Sequence, residues 1–205
     1  IEMEHSFQHL KTFRYFTFGD PSKAKIALYV LHGYGQLAEY FIRKFHKLDE
    51  SFFIFTPEGM HRFYVNGTSG RVGASWMTKE ARVIDISDTI GWLDKLDEEV
   101  NSLHTFDKKI ILGFSQGGAT AARWSAYGKN KPDSVIYWAS VFPPDLEMEL
   151  SAKTENNKNN HFVVGNKDEY FSNEQQVEIL NYYSKRGFNT HHFEGNHTID
   201  HDTLI

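Results

Sequence analysis

Short, continuous apolar runs recur along the chain, among them IALYVL, KIILGF and HFVV. Runs of this length, bounded by polar and turn residues, suit strands buried on both faces of a parallel sheet. They predict seven strands: Lys11–Phe18, Lys25–Leu31, Phe52–Thr56, Lys109–Gly113, Ser134–Ala139, His161–Val164 and Thr190–Phe193. Between them the apolar period becomes helical. Leu37, Phe41, Phe45 and Leu48 form one stripe. A longer stripe comprises Val83, Ile86, Ile90, Leu93, Leu96, Val100 and Leu103. Gln116–Tyr127 is alanine-rich, and Ser172 to Gln175 reads as a capping box. That box opens a helix reaching toward Gly187, with Val177, Leu180 and Tyr183 expected inward. Strands alternating with helices define an α/β fold: a mostly parallel sheet of about seven strands, covered by helices on both faces.

Two segments break the alternation. Lys153–Asn160 (KTENNKNN) is polar and Asn-rich, as expected of a solvated loop. Pro57–Lys79 shows no sustained period, yet it carries Met60, Phe63, Tyr64, Trp76 and Met77. A disordered connection would not hold so many large apolar groups, so an ordered loop lining a pocket is expected.

Composition narrows the class. A chain of 205 residues fits one domain over 1–205, long enough to bury a sizeable core. Net charge is −5 and the charges are mixed, which argues against nucleic-acid binding. The absence of cysteine excludes disulfides, a thiol nucleophile and Cys-ligated zinc. No apolar run approaches the ~18 residues of a membrane span, and IEMEHSF lacks the pattern of a signal peptide. A cytoplasmic location is therefore the expectation. Oligomeric state is not legible.

The strand KIIL runs into Gly113-Phe114-Ser115-Gln116-Gly117-Gly118, and the helix AATAARW follows. This is G-x-S-x-G in strand–turn–helix context, the nucleophile elbow of α/β-hydrolases. The turn is tight, so residues two positions from the serine must lack a side chain, and glycine supplies that. A serine hydroxyl also needs a base held by a carboxylate, and this fold orders them Ser, Asp or Glu, His. Asp168 follows the strand HFVV, and His197 follows THHFEG. Both lie on the same sheet edge as Ser115. Glu169 and Asp145 compete as the acid, and His191, His192 and His201 as the base. Position after a strand favours Asp168 and His197.

The oxyanion of the intermediate needs two preorganised N–H donors. Gln116, after the nucleophile, is one. The other is Tyr34, in the turn His32-Gly33-Tyr34-Gly35-Gln36 after IALYVL.

Together, Leu31-His32-Gly33-Tyr34-Gly35, GFSQGG, the Gly-x-x-Asp of Gly165 to Asp168 and the Gly-x-His of Gly195 to His197 resemble the phospholipase/carboxylesterase family, which includes acyl-protein thioesterases and small bacterial carboxylesterases. The resemblance spans nearly the whole chain. It implies a compact α/β-hydrolase without a large lid, cleaving carboxylic esters or thioesters of small or lipid-like acyl groups with no cofactor. It implies Ser115 as nucleophile, Asp168 as acid, His197 as base, and Tyr34 and Gln116 as oxyanion donors. The chain departs from the family at Gln36, often acidic there, and at Gly195-Asn196, often a glycine pair.

Other readings keep the same residues. A peptidase, a lactone hydrolase or an acyltransferase uses the same triad, and a binding module would be its decayed form. His191, His192, His197, Asp200, His201 and Asp202 cluster in sequence, but His191 and His192 are consecutive in a strand and face opposite sides, so no metal site is expected. Trp76 and Phe142 are candidates for an apolar acyl-binding wall.

Overall fold

A computed structural model describes residues 1–146 and 154–205. Its centre is a seven-stranded sheet in the order β1-β3-β2-β6-β7-β8-β9. These strands are β1 (Tyr15–Phe18), β2 (Ile26–Leu31), β3 (Phe52–Pro57), β6 (Lys108–Phe114), β7 (Ser134–Trp138), β8 (His161–Gly165) and β9 (Asn189–Phe193). Every neighbouring pair is parallel except β1 with β3.

The apolar runs explain the layers. Successive strand residues point to opposite faces. In β2, Leu28 and Val30 therefore enter one core with Phe41, Phe45 and Trp138, while Tyr29 and Leu31 enter the other with Trp76 and Trp124. The second core is roofed by α2 (Arg82–Leu103), α3 (Gln116–Tyr127) and α4 (Asn173–Ser184). The first is covered by α1 (Ala38–Phe41), the 3-10 turn Ile42–Phe45 and, at its rim, α5 (His201–Leu204). Among the described residues no helix is long and apolar enough to cross a membrane.

Several expectations shift in detail. The first strand begins at Tyr15, not Lys11, because its partner β3 ends at Pro57, directly opposite Tyr15. Upstream, the chain is held by side chains instead: Arg14 pairs with Glu58 at 2.8 Å and Lys11 Nζ donates to Met60 O at 2.6 Å. The segment 57–79 is ordered and contains a hairpin, β4 (His61–Tyr64) with β5 (Val72–Ser75). The long stripe of α2 meets the core from Ile90 to Val100, with Leu93, Leu96 and Val100 buried, and Val83 and Leu103 are exposed. The capping box of α4 forms, with Ser172 Oγ accepting from Gln175 N and Gln175 Oε1 from Ser172 N.

In α4, Tyr183 is buried but Val177 is exposed, and Gln176 points inward in its place. Hydrogen bonds fix that phase: Gln176 Nε2 donates to Phe171 O at 3.1 Å, and its Oε1 lies 3.0 Å from His192 Nε2. The Asn-rich run begins at Lys153, outside the described residues, and Thr154–Asn159 forms a 3-10 helix.

Candidate active site

Four loops meet at the carboxyl edge of the sheet, following β2, β6, β8 and β9. Such edges are where ligands bind in parallel α/β sheets. Ser115 sits between β6 and α3 with φ 53° and ψ −118°. A left-handed φ at a non-glycine residue costs about 1–3 kcal/mol and persists only where the surroundings enforce it. Here Ser115 N–H donates to Trp138 O at 2.9 Å and Ser115 O accepts from Gly118 N at 3.0 Å. A Cβ on Gly117 would lie 2.2 Å from Leu31 O, so only glycine lets α3 approach β2 this closely.

Asp168 and His197 come together. His197 Nδ1 lies 2.7 Å from Asp168 Oδ2, with the carboxylate fully buried and the imidazole 11% exposed. The other oxygen, Oδ1, accepts from Tyr170 N at 2.9 Å. The two loops that carry this pair are zipped by Lys167 N to Gly195 O (2.9 Å), Asn166 N to Phe193 O (2.8 Å) and Gly195 N to Asn166 Oδ1 (3.2 Å). Gly165 is required by that approach, since a Cβ there would lie 2.2 Å from Gly195 O. The glycine of the first motif therefore serves to place Asp168 and His197 side by side.

The His197 ring packs on Phe114, the residue before Ser115, at 4.8 Å between centroids. Tyr170 packs on it as well, at 4.4 Å. Among the described residues no hydrogen bond joins Ser115 Oγ to His197. Contacts of this kind commonly tighten only with substrate bound.

The loop after β2 is equally constrained. Gly33 N donates to Gln36 Oε1 at 2.8 Å and Gly35 N to Ala74 O at 2.9 Å. The Tyr34 N–H between them has no partner among the described residues. Gln116 is the first residue of α3, and the leading N–H groups of a helix lack intrahelical partners. Its side chain is committed elsewhere: Oε1 accepts from Trp76 N at 3.1 Å and Nε2 donates to Met77 O at 2.9 Å.

Beneath the loop, His32 is fully buried. Its Nε2 accepts from Gly59 N at 2.9 Å, and its Nδ1 lies 2.8 Å from Gly33 O. Burial pushes the imidazole down to about 4, although the Gly33 carbonyl and Glu58 favour its charged form. Glu58 is buried too, which pushes its carboxyl up, yet bonds from Arg14, Arg62 and Ala38 N outweigh burial and hold it below its ordinary value.

The other sequence candidates lie elsewhere. Asp145 is paired with Arg123 at 2.9 Å and Arg82 at 3.0 Å. Glu169 Oε2 reaches His197 N at 3.4 Å, a contact with its backbone and not its ring. His191 stacks on His161 across β8 and β9, His192 bonds Gln176, and His201 opens α5 behind the Asp200 cap. Trp76 and Phe142 do not offer an open wall. Trp76 is 1% exposed between His32 and Trp92, and Phe142 is buried against Tyr137 and Tyr183. Their size suits the interior: each ring fills space between helix and sheet that smaller side chains would leave empty.

Sequence inspection missed two residues near the end of β9, one against His197 and one against Thr198. Tyr170 was legible in principle, since Asp-x-Tyr with an N–H back to the carboxylate is an Asx turn. Lys44, whose Nζ donates to Thr198 Oγ1 at 3.2 Å, carried no local signal.

This sheet order with a serine elbow after its central strand is the α/β-hydrolase architecture. Residues 22–203 match the serine hydrolase (FSH1) family, and the chain belongs to that family of hydrolases. No curated protein matches the chain. Among solved structures it is similar to Zea mays acyl-protein thioesterase 2, at 15% identity, with 93% of this chain and 94% of that one covered and a TM-score of 0.67. It is also similar to esterase PE8, at 17% identity, 95% of both chains and a TM-score of 0.65. The Bacillus cereus carboxylesterase aligns at 15% identity over 94% of this chain and 90% of its own, with a TM-score of 0.62. The resemblance to carboxylesterases and acyl-protein thioesterases is thus met at the level of fold.

Proposed function

We propose that the protein hydrolyses carboxylic esters or thioesters through an acyl-enzyme on Ser115. The observation that carries this reading is the 2.7 Å contact between His197 Nδ1 and Asp168 Oδ2 on the same sheet edge as the strained Ser115. With Nδ1–H directed at Asp168, Nε2 is left free to accept a proton. Ser115 Oγ attacks the acyl carbonyl as His197 Nε2 takes its proton. Asp168 keeps the imidazole in that tautomer and stabilises the imidazolium. The N–H groups of Tyr34 and Gln116 receive the charge on the carbonyl oxygen. Collapse breaks the bond to the alcohol or thiol, which leaves with the proton from His197. Water then attacks the acyl-enzyme, giving its proton to His197, and the acid departs as that proton returns to Ser115.

The strained elbow aids the first step because it presents the hydroxyl beyond the sheet edge, at the N-terminus of α3, where negative charge is favoured. The test is turnover of short p-nitrophenyl esters and labelling by a fluorophosphonate probe. Wild type is expected to be active and labelled, and Ser115→Ala neither. An unlabelled wild type that is inactive on both esters and thioesters would sink the reading.

A further inference from the structure

A groove of about 500 Å³ opens beside the loop that follows β2. One wall is Gln36, Leu37, Tyr40 and Phe41, and the facing wall is residues 70–72 of the hairpin. The volume lies in the range of about 300–1,000 Å³ usual for small-molecule sites. It was invisible in the sequence because its walls come from two segments joined only by the hairpin. Gly35 N donates to Ala74 O and Ala74 N to Gln36 O, both at 2.9 Å, which fastens β5 to the loop.

The charge of this groove is one-sided. Lys44 and Arg71 line it, both exposed, and no carboxylate does. Glu39, on α1, faces Arg43 at 3.6 Å instead. Among the described residues neither Lys44 nor Arg71 has a carboxylate partner, and Lys44 meets only the Thr198 hydroxyl. Two links tie the groove to the neighbourhood of the site. Gly35 and Gln36 flank it next to the Tyr34 N–H, and Thr198, which Lys44 holds, follows His197 in the chain.

We infer that this groove binds an anionic group, a carboxylate or a phosphate, carried by the substrate away from its scissile carbonyl. The inference rests on the reading of Ser115 as nucleophile and names the substrate class for that site: esters or thioesters with a negative charge on one end. Leu37 and Phe41 on one wall and Val72 on the other supply apolar surface for the chain that links that charge to the carbonyl.

The test uses two matched pairs. The first is p-nitrophenyl valerate against the mono-p-nitrophenyl ester of glutaric acid, which places a carboxylate on the acyl side. The second is butyryl-N-acetylcysteamine against butyryl-coenzyme A, which places phosphates on the leaving group. The charged member is expected to have the higher kcat/KM in at least one pair, through a lower KM. In Lys44→Ala/Arg71→Ala that preference should fall about tenfold, as expected of two partly exposed ion pairs. Lys44→Arg and Arg71→Lys should each retain most of it. It should also shrink at about 0.5 M salt, where exposed charges are screened. An active wild type with no preference in either pair overturns the groove alone. So does a double variant that loses charged and neutral substrates equally. A wild type that neither turns over a substrate nor takes the fluorophosphonate label overturns the Ser115 reading beneath it.

Discussion

Ser115 combines φ 53° with a hydrogen bond from its own N–H to Trp138 O at 2.9 Å, so the strain at the elbow is held by β7 and not by the turn alone. The same economy governs Asp168. One of its oxygens faces the His197 ring and the other caps Tyr170 N, which leaves the carboxylate one orientation. Asp168→Asn therefore preserves the packing but offers an amide that can stabilise the wrong imidazole tautomer. The expected outcome is a fall in kcat of about 10⁴ with little change in KM, read by steady-state kinetics on a p-nitrophenyl ester. An unchanged circular dichroism spectrum would show that the fold survives. A loss below tenfold would mean that Asp168 does not orient the base.

At the scale of elements, glycines decide how closely strands and helices approach. Gly117 lets α3 sit against β2, and a Cβ there would meet Leu31 O at 2.2 Å and His32 O at 2.6 Å. Both obstacles are backbone, so neither can swing away. Gly117→Ala is expected to destabilise by about 3 kcal/mol, the upper part of the usual overpacking range. Gly91, exposed in the middle of α2 with nothing near its virtual Cβ, is the control. Gly91→Ala should stabilise by about 0.5–1 kcal/mol, since alanine is the better helix former. Urea unfolding of the two variants checks both signs, and similar effects from both would refute the argument from close approach.

Over the whole molecule, the buried polar groups beneath the β2 loop couple folding to pH. His32 has its pKa pushed down to about 4 by burial, against an ordinary value of 6.5. The unfolded chain therefore binds a proton that the folded one refuses between those values. Stability is full above about pH 6.5 and is lost as pH falls through about 4, at up to about 1.4 kcal/mol per pH unit. Glu58, held below its ordinary 4.5, adds to the loss at the acid end. Urea midpoints measured from pH 7 to pH 4.5 should fall steadily in wild type. His32→Gln should start lower and fall less steeply. Parallel slopes would show that His32 is not the group responsible.

The seven sheet strands, the elbow and the order of Ser115, Asp168 and His197 were legible in the sequence. They depend on local signals: continuous apolar runs, glycines at fixed offsets, and polar residues just after strands. The phase of α4 was not, because Gln176 and Val177 exchange roles for the sake of hydrogen bonds to Phe171, just before the helix, and to His192 on β9. The β4–β5 hairpin was hidden as well, since strands of four residues with mixed character leave no period to detect. Trp76 and Phe142 look the same in a sequence whether they line a pocket or fill a core, and only packing puts them inside. The contact of Asp168 with His197 and the groove between Lys44 and Arg71 belong to the tertiary structure, because each is made by segments that chain proximity never brings together.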